Sequence, residues 1–104
     1  MNFIPRQPIY TVLTETATDD TPFQVTTIGL WFKELDVFCY ANDVNCGTVS
    51  GMNVWILAND VYTIKGVVNA ADLYFQNHTA GSNAQVVIAG TQLSDQEILD
   101  LGLA

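Results

Sequence analysis

The feature that most constrains the fold of this chain is a succession of short runs rich in β-branched and aromatic residues, each ended by a cluster of turn residues. The clusters recur about every 8 to 12 residues, a spacing typical of an antiparallel sandwich or barrel. The sequence therefore predicts an all-β fold, a single antiparallel β-sandwich that is jelly-roll-like and has about eight strands. The predicted strands are 7–16, 23–32, 34–41, 44–51, 53–58, 60–68, 71–77 and 84–93.

Several runs carry the alternation expected of half-buried strands. Apolar and polar side chains alternate along 61–66 and 85–89, which places one face in the core. The runs 54–57 and 86–89 are instead apolar on both faces. Because a small sandwich buries only one of those faces, we expect the other to meet something outside the domain, most naturally a partner subunit.

Two stretches, 34–51 and 71–93, are predicted to form β-hairpins. In the first, a two-residue turn at 42–43 would set Cys39 directly opposite Cys46, at a separation that permits a disulfide. The alternative is that both cysteines are buried and reduced. The sequence favours this alternative, because no secretion signal precedes the pair.

A chain of 104 residues has room for one domain. We expect an extended N-terminal arm over 1–8, the β-sandwich domain over 9–93 and a short C-terminal helical tail over 94–104. Ser94 followed by Glu97 is a capping-box pattern, which predicts the start of that helix.

The charge balance bears on the partners of the chain. Eleven acidic residues face three basic ones, and the formal net charge is -8. Nucleic-acid binding normally needs a basic stripe that displaces phosphate counterions, so we expect no direct contact with DNA or RNA. No run approaches the roughly 20 apolar residues of a membrane span, so no membrane association is expected either.

No catalytic or zinc motif stands out. His78 is the single histidine, and it falls in a predicted turn where no neighbour would orient its ring, so we expect no enzyme activity. One histidine and two cysteines do not supply the ligands of a zinc site, and no cofactor is expected. Asn77, His78 and Thr79 form a glycosylation sequon, which we interpret as coincidental in the absence of a secretion signal.

Turn carboxylates offer a weaker metal hypothesis. Asp19, Asp20, Asp43 and Asp60 all occupy predicted turns. Carboxylates from turns at one end of a sandwich can converge on a hard cation such as calcium. The alternative is that each aspartate caps the backbone of its own turn, which is the common role of this residue there.

Aromatic residues suggest a second function class. Trp31, Tyr62 and Tyr74 are candidates for a platform on which sugar rings stack, because an aromatic face is apolar and rigid. Aromatic residues in so small a protein mostly pack in the core, and Trp55, inside the apolar run NVWIL, is expected to be buried. A carbohydrate-binding or host-attachment module is therefore the alternative hypothesis.

The stretch DLYFQNHTAGSNAQVVIAGT (72–91) resembles the C-terminal part of small tailed-phage virion structural proteins, the β-sandwich capsid decoration and head proteins. In those proteins a late strand of the form LYF or LYV plus Asn precedes a turn with Ser and Gly, and the next strand ends in Gly-Thr. The resemblance extends over 50–104 and includes NDVYTIKG (59–66). It implies a non-enzymatic structural protein of the virion, made in the host cytoplasm and displayed in many copies, often as trimers. No functional residue carries over, because such proteins have no catalytic site.

The first hypothesis is therefore a phage capsid decoration protein that stabilises the shell through subunit contacts. Its partners would be further copies of itself, with a trimer favoured, and the major capsid protein or another virion protein. A third possibility is a small enzyme-associated β-domain without activity of its own. The expected contact residues are Phe3 and Ile4 in the arm, and Leu93, Ile98 and Leu101 near the C-terminus.

Overall fold

The computed structural model describes residues 9–103, which form two antiparallel sheets and a short helix. The arm predicted over 1–8, with Phe3 and Ile4, lies outside the described residues. Across 9–103 there are seven strands, one 3-10 turn (Ala70–Asp72) and one α-helix. Their bounds are β1 Tyr10–Thr16, β2 Trp31–Tyr40, β3 Val44–Thr48, β4 Gly51–Ile56, β5 Val61–Asn69, β6 Tyr74–Asn77, β7 Gln85–Gln92 and α1 Asp95–Asp100.

The strands pair in a nested order, from the outermost strands of the chain inward. β1 pairs with β7, β2 with β5 and β3 with β4, so the first strand meets the last and the innermost pair is a true hairpin. Between β1 and β2, Phe23 forms an isolated antiparallel bridge with Phe75 of β6. β2 also pairs with β7, and β3 also pairs with β6, which gives the strand orders β1-β7-β2-β5 and β4-β3-β6. This nested pairing across two sheets is that of a jelly roll, and the predicted all-β sandwich is confirmed.

The predicted strand 23–32 is wrong over 24–30: Phe23 forms only that single bridge, and Trp31 and Phe32 belong to β2. The Thr26 hydroxyl accepts a hydrogen bond from the Ile28 N–H at 3.1 Å, a local turn that competes with strand pairing. The Leu30 N–H donates to the side chain of Asn69 at 3.1 Å, again in place of a strand partner. Regular pairing begins only at Trp31, so the second jelly-roll strand is reduced to one contact.

Both predicted hairpins are also wrong, because each crosses from one sheet to the other. β2 lies in the four-stranded sheet and β3 in the three-stranded sheet, so Cys39 does not oppose Cys46. Cys39 pairs with Val86 and Cys46 pairs with Phe75, and both thiols are free and buried in the core. Burial raises the pKa of Cys39 to about 11 and that of Cys46 to about 12, so both remain protonated thiols at neutral pH.

The stretch 71–93 behaves in the same way. β6 pairs with β3 in one sheet, while β7 pairs with β1 and β2 in the other. The connection 78–84 is long enough to span the two layers, whereas a hairpin would need a tight turn between strands of one sheet. The alternation of apolar residues fits both a hairpin and the observed crossing between the sheets, since Phe75 and Val86 both face the core.

The core lies between the two sheets and is built from both. The Phe23 and Phe75 rings are 5.8 Å apart at a 35° tilt, which joins the bridge to the core. Gly90 lies where β2 comes closest to β7, and a Cβ there would lie 2.3 Å from the Glu34 carbonyl oxygen, so only glycine fits. The largest fully buried side chains are Phe32, Phe75, Leu35, Ile88, Val37, Val44, Val86, Cys39 and Cys46.

The predicted C-terminal helix is present and begins with a complete capping box. The Ser94 hydroxyl accepts from the Glu97 N–H at 3.1 Å, and the Glu97 carboxylate accepts from the Ser94 N–H at 3.0 Å. Relative to β7, β2 has an extra residue at Lys33, which produces a bulge, and the Lys33 ammonium lies 2.9 Å from the Glu97 carboxylate. The short helix is therefore tied to its own domain.

Candidate functional site

The outer face of the four-stranded sheet carries an apolar surface. Side chains in register across antiparallel strands share a face, and Val87, Phe38 and Val61 form one row over β7, β2 and β5. On β1 the residue opposite Val87 is Thr14, and Val12 lies in the neighbouring row, opposite Ala89. Tyr40 lies on the same face towards the end of β2. We call Val12, Phe38, Tyr40, Val61 and Val87 the outer patch. Val12, Val61 and Tyr40 are 54%, 47% and 42% exposed, while Phe38 and Val87 are half-buried.

Charged groups border the outer patch on one side. Asp36 accepts a hydrogen bond from the Thr63 hydroxyl at 2.7 Å, and Glu34 lies opposite Lys65 in the next row. Single exposed valines are ordinary on protein surfaces, but an apolar row across three strands, β7, β2 and β5, is typical of an interaction surface.

The contact residues predicted near the C-terminus differ in their exposure to solvent. Leu93 is 7% exposed and packs within its own subunit, so it has little surface to offer a partner. Ile98 is half-buried and lines a cleft with Trp31 and Leu93. Leu101 is 54% exposed, and Leu99 beside it is 62% exposed. The contact role of Leu101 stays a prediction, and Phe3 and Ile4 lie outside the described residues.

The three aromatic residues proposed for sugar stacking do not form one platform. Trp31 begins β2 and lies in the cleft beside α1. Tyr62 is in β5, at the edge of the four-stranded sheet, whereas Tyr74 is in β6, at the edge of the other sheet. No two of them are in ring contact within residues 9–103.

Trp55 is the aromatic residue that the sequence interpretation missed. It was expected to be buried, but it is 57% exposed on the outer face of the three-stranded sheet, because its neighbours Val54 and Ile56 face the core. The His78 ring stacks on the indole with centroids 4.3 Å apart and an interplanar angle of 6°. Strict alternation through 53–56 is the signal that would have located it.

Hydrogen bonds to Asp43 fix this stacked pair. The Trp55 indole N–H donates to one carboxylate oxygen of Asp43 at 3.0 Å, and the Ala58 N–H donates to the other at 2.7 Å. The Asp43 carbonyl accepts from the His78 N–H at 3.1 Å, and Asn45 Oδ1 lies 2.9 Å from His78 Nδ1. The hydrogen bonds from Ala58 and Trp55 lower the pKa of Asp43, which keeps the carboxylate ionised at neutral pH.

The aspartates considered for calcium lie in turns, and hydrogen bonds engage all four. Asp19 accepts from the Thr21 N–H and Asp60 accepts from the Val61 N–H, so these two cap the backbone of their own turns. Asp20 instead accepts from Asn77 and from the Gly81 N–H, and Asp43 accepts from Trp55 and Ala58, so these two join separate segments of the chain. Within residues 9–103 no three metal-ligating side chains come together.

The fold buries the asparagine of the glycosylation sequon, Asn77. Asn77 is 7% exposed, and its Nδ2 lies 3.0 Å from the Asp19 carbonyl, from Asp20 Oδ1 and from Asn83 Oδ1. Its Oδ1 accepts from the Ala84 N–H at 2.9 Å. The side-chain amide that a glycan would join is thus committed to holding two loops together.

The carboxylates give stability a defined pH dependence. The hydrogen bond from the Gly81 N–H lowers the pKa of Asp20 most, and the one from Asn77 lowers it further. Hydrogen bonds lower the pKa of Asp43 in the same way. A lowered folded-state pKa stabilises the fold above the unfolded value of about 4, and that contribution is lost as the pH falls through the folded-state value. We expect the urea midpoint to fall as the pH drops below about 4.

The matched variants for this prediction are Asp20→Asn and Asp72→Asn. Asp72 is exposed and accepts no hydrogen bond within residues 9–103. The urea midpoint of Asp20→Asn should approach that of the wild type as the pH falls, because the wild type loses the interaction that the variant lacks. A gap between the two midpoints that stays constant with pH would contradict this account.

Comparison with family models, curated proteins and solved structures finds no match to this chain. No helix within residues 9–103 has the length and apolar character needed to cross a bilayer.

Proposed function

We propose that this chain is a non-enzymatic structural protein of a virion, a capsid decoration protein that acts through subunit contacts of its outer patch. The observation that carries the proposal is the apolar surface formed by Val12, Phe38, Tyr40, Val61 and Val87 on the outer face of the four-stranded sheet. The virion assignment itself is supported by the resemblance over residues 50–104, and jelly rolls occur among capsid proteins.

Two further properties favour a contact function. With only three basic residues in the chain, few charges protect its sheet edges and faces from association. The net charge of -8 would repel packaged DNA and complement a basic surface on a shell. The first occupant of the outer patch is a neighbouring copy of this chain, in a closed oligomer with a trimer favoured.

A charge placed in the outer patch tests this contact. Val61→Glu is expected to weaken self-association by roughly tenfold or more, because burying an unpaired carboxylate costs more than the apolar contact contributes. Sedimentation velocity over a dilution series measures the change.

Val49→Glu is the matched control. Val49 is 73% exposed in the β3–β4 turn, away from the outer patch, so this variant should assemble as the wild type does. Equal sedimentation of the Val61→Glu variant and the wild type would contradict the assignment of the contact surface.

A further inference from the structure

The outer face of the three-stranded sheet carries a second surface of different chemistry. Trp55, Asn45 and Gln76 are in register across β4, β3 and β6, so they form one row on this face. The row spans two strand spacings, about 9.6 Å. His78 follows β6 and stacks on Trp55 at one end of the row. Trp31, the other tryptophan, is only partly exposed and lines the cleft beside α1.

Trp55 has the properties of a rigid platform. The imidazole of His78 covers one face of the indole, and the residue as a whole remains 57% exposed. The hydrogen bond to Asp43, which is itself held by the Ala58 N–H, fixes the ring before any ligand arrives. A preorganised, apolar, planar surface suits the C–H face of a pyranose ring, since little conformational entropy is lost on stacking.

Polar groups beside the platform match hydroxyl groups. Asn45 Oδ1 can only accept, so His78 Nδ1 donates to it, and His78 Nε2 makes no hydrogen bond within residues 9–103. Asn45 Nδ2 makes no hydrogen bond within residues 9–103 and is a free donor. Gln76 Nε2 donates to the Asp20 carbonyl at 2.9 Å, which holds that side chain in place and leaves its oxygen available.

The charge of the surroundings selects among sugars. Asp43 is ionised directly beneath the indole N–H, and the whole chain carries a net charge of -8. An acidic glycan would be repelled, whereas an uncharged one would not. We propose that Trp55 and His78, with Asn45 and Gln76, form a binding site for an uncharged oligosaccharide that extends across the three strands.

Two tryptophan variants test the site with matched reporters. The chain has two tryptophans, so Trp31→Phe leaves Trp55 as the sole tryptophan and Trp55→Phe leaves only Trp31. The probes are cellotetraose and triacetylchitotriose, with tetragalacturonate as the acidic counterpart. At least one neutral probe should bind saturably by calorimetry, and its binding should change the emission of the Trp31→Phe variant but not that of Trp55→Phe.

Substitutions in the site give the quantitative test. Trp55→Ala is expected to weaken binding of the neutral probe by at least about tenfold, and His78→Ala by several-fold. Tetragalacturonate should bind more weakly than the neutral probe. Absence of saturable binding by both neutral probes would overturn the proposal, and so would an unchanged affinity in folded Trp55→Ala. Either failure leaves the outer patch untouched, because that patch lies on the other sheet.

Discussion

Replacing Phe75 by alanine is expected to lower the free energy of unfolding by about 3–5 kcal/mol. The Phe75 side chain is fully buried, and its ring packs on Phe23 at 5.8 Å. Its backbone exchanges hydrogen bonds of 2.8 Å with Phe23, so the residue also joins the reduced second strand to the sheet. Because small domains are stable by only about 5–15 kcal/mol, this variant should be close to unfolding at room temperature.

Phe75→Leu is the graded control for this substitution. Leucine keeps most of the buried volume and the backbone bridge but loses the ring contact with Phe23, so a smaller loss of roughly 1–2 kcal/mol is expected. Urea unfolding followed by circular dichroism measures both variants. A loss below about 1 kcal/mol for Phe75→Ala would show that Phe75 is not at the centre of the core.

Asn77→Asp is the second substitution with a large expected effect, about 3–5 kcal/mol of destabilisation at neutral pH. It replaces the Asn77 amide, which is 7% exposed and donates to Asp20 and Asn83, by a buried carboxylate that faces the carboxylate of the exposed Asp20 across 3.0 Å. The loops 17–22 and 78–84 would lose the hydrogen bonds that pass through Asn77, while those from Gly81 to Asp20 and from Ala17 to Ala84 remain.

The pH dependence distinguishes this charge effect from a simple loss of packing. Repulsion by Asp20 and burial raise the folded-state pKa of the introduced carboxylate above its unfolded value of about 4. The destabilisation is therefore greatest above that folded-state pKa and shrinks as the pH falls towards about 4. Asn83→Asp is the matched control, because it retains an acceptor for the Asn77 amide. Equal losses for the two variants at neutral pH would contradict the assigned role of Asn77.

The fold class was predictable because turn spacing and alternation report directly on short, half-buried strands. The pairing of those strands was not predictable from the same signals. Cys39 and Cys46 face the core whether their strands form a hairpin or cross between the sheets, so alternation cannot separate the two cases. The strand predicted over 23–32 does not form for a local reason. The hydroxyl of Thr26 supports a turn there, although the β-branched composition favoured a strand.

The candidate sites were less predictable than the fold. Position alone did not reveal that Trp31, Tyr62 and Tyr74 lie on separate parts of the molecule, because their strands are distributed over both sheets. The exposure of Trp55 was available from alternation within β4, but the uniformly apolar run around it favoured burial. Its stacking on His78 joins residues 23 positions apart through β6 and the start of the following loop, which no local pattern indicates.

The most direct test of the central claim is the mass of the purified wild-type protein in solution, measured by light scattering over a dilution series. The chain has a mass of 11.4 kDa. If the outer patch is a contact between copies of this chain, the measured mass should be that of a closed oligomer, a trimer by preference, and should not change with dilution. A mass of 11.4 kDa at every concentration would contradict the account.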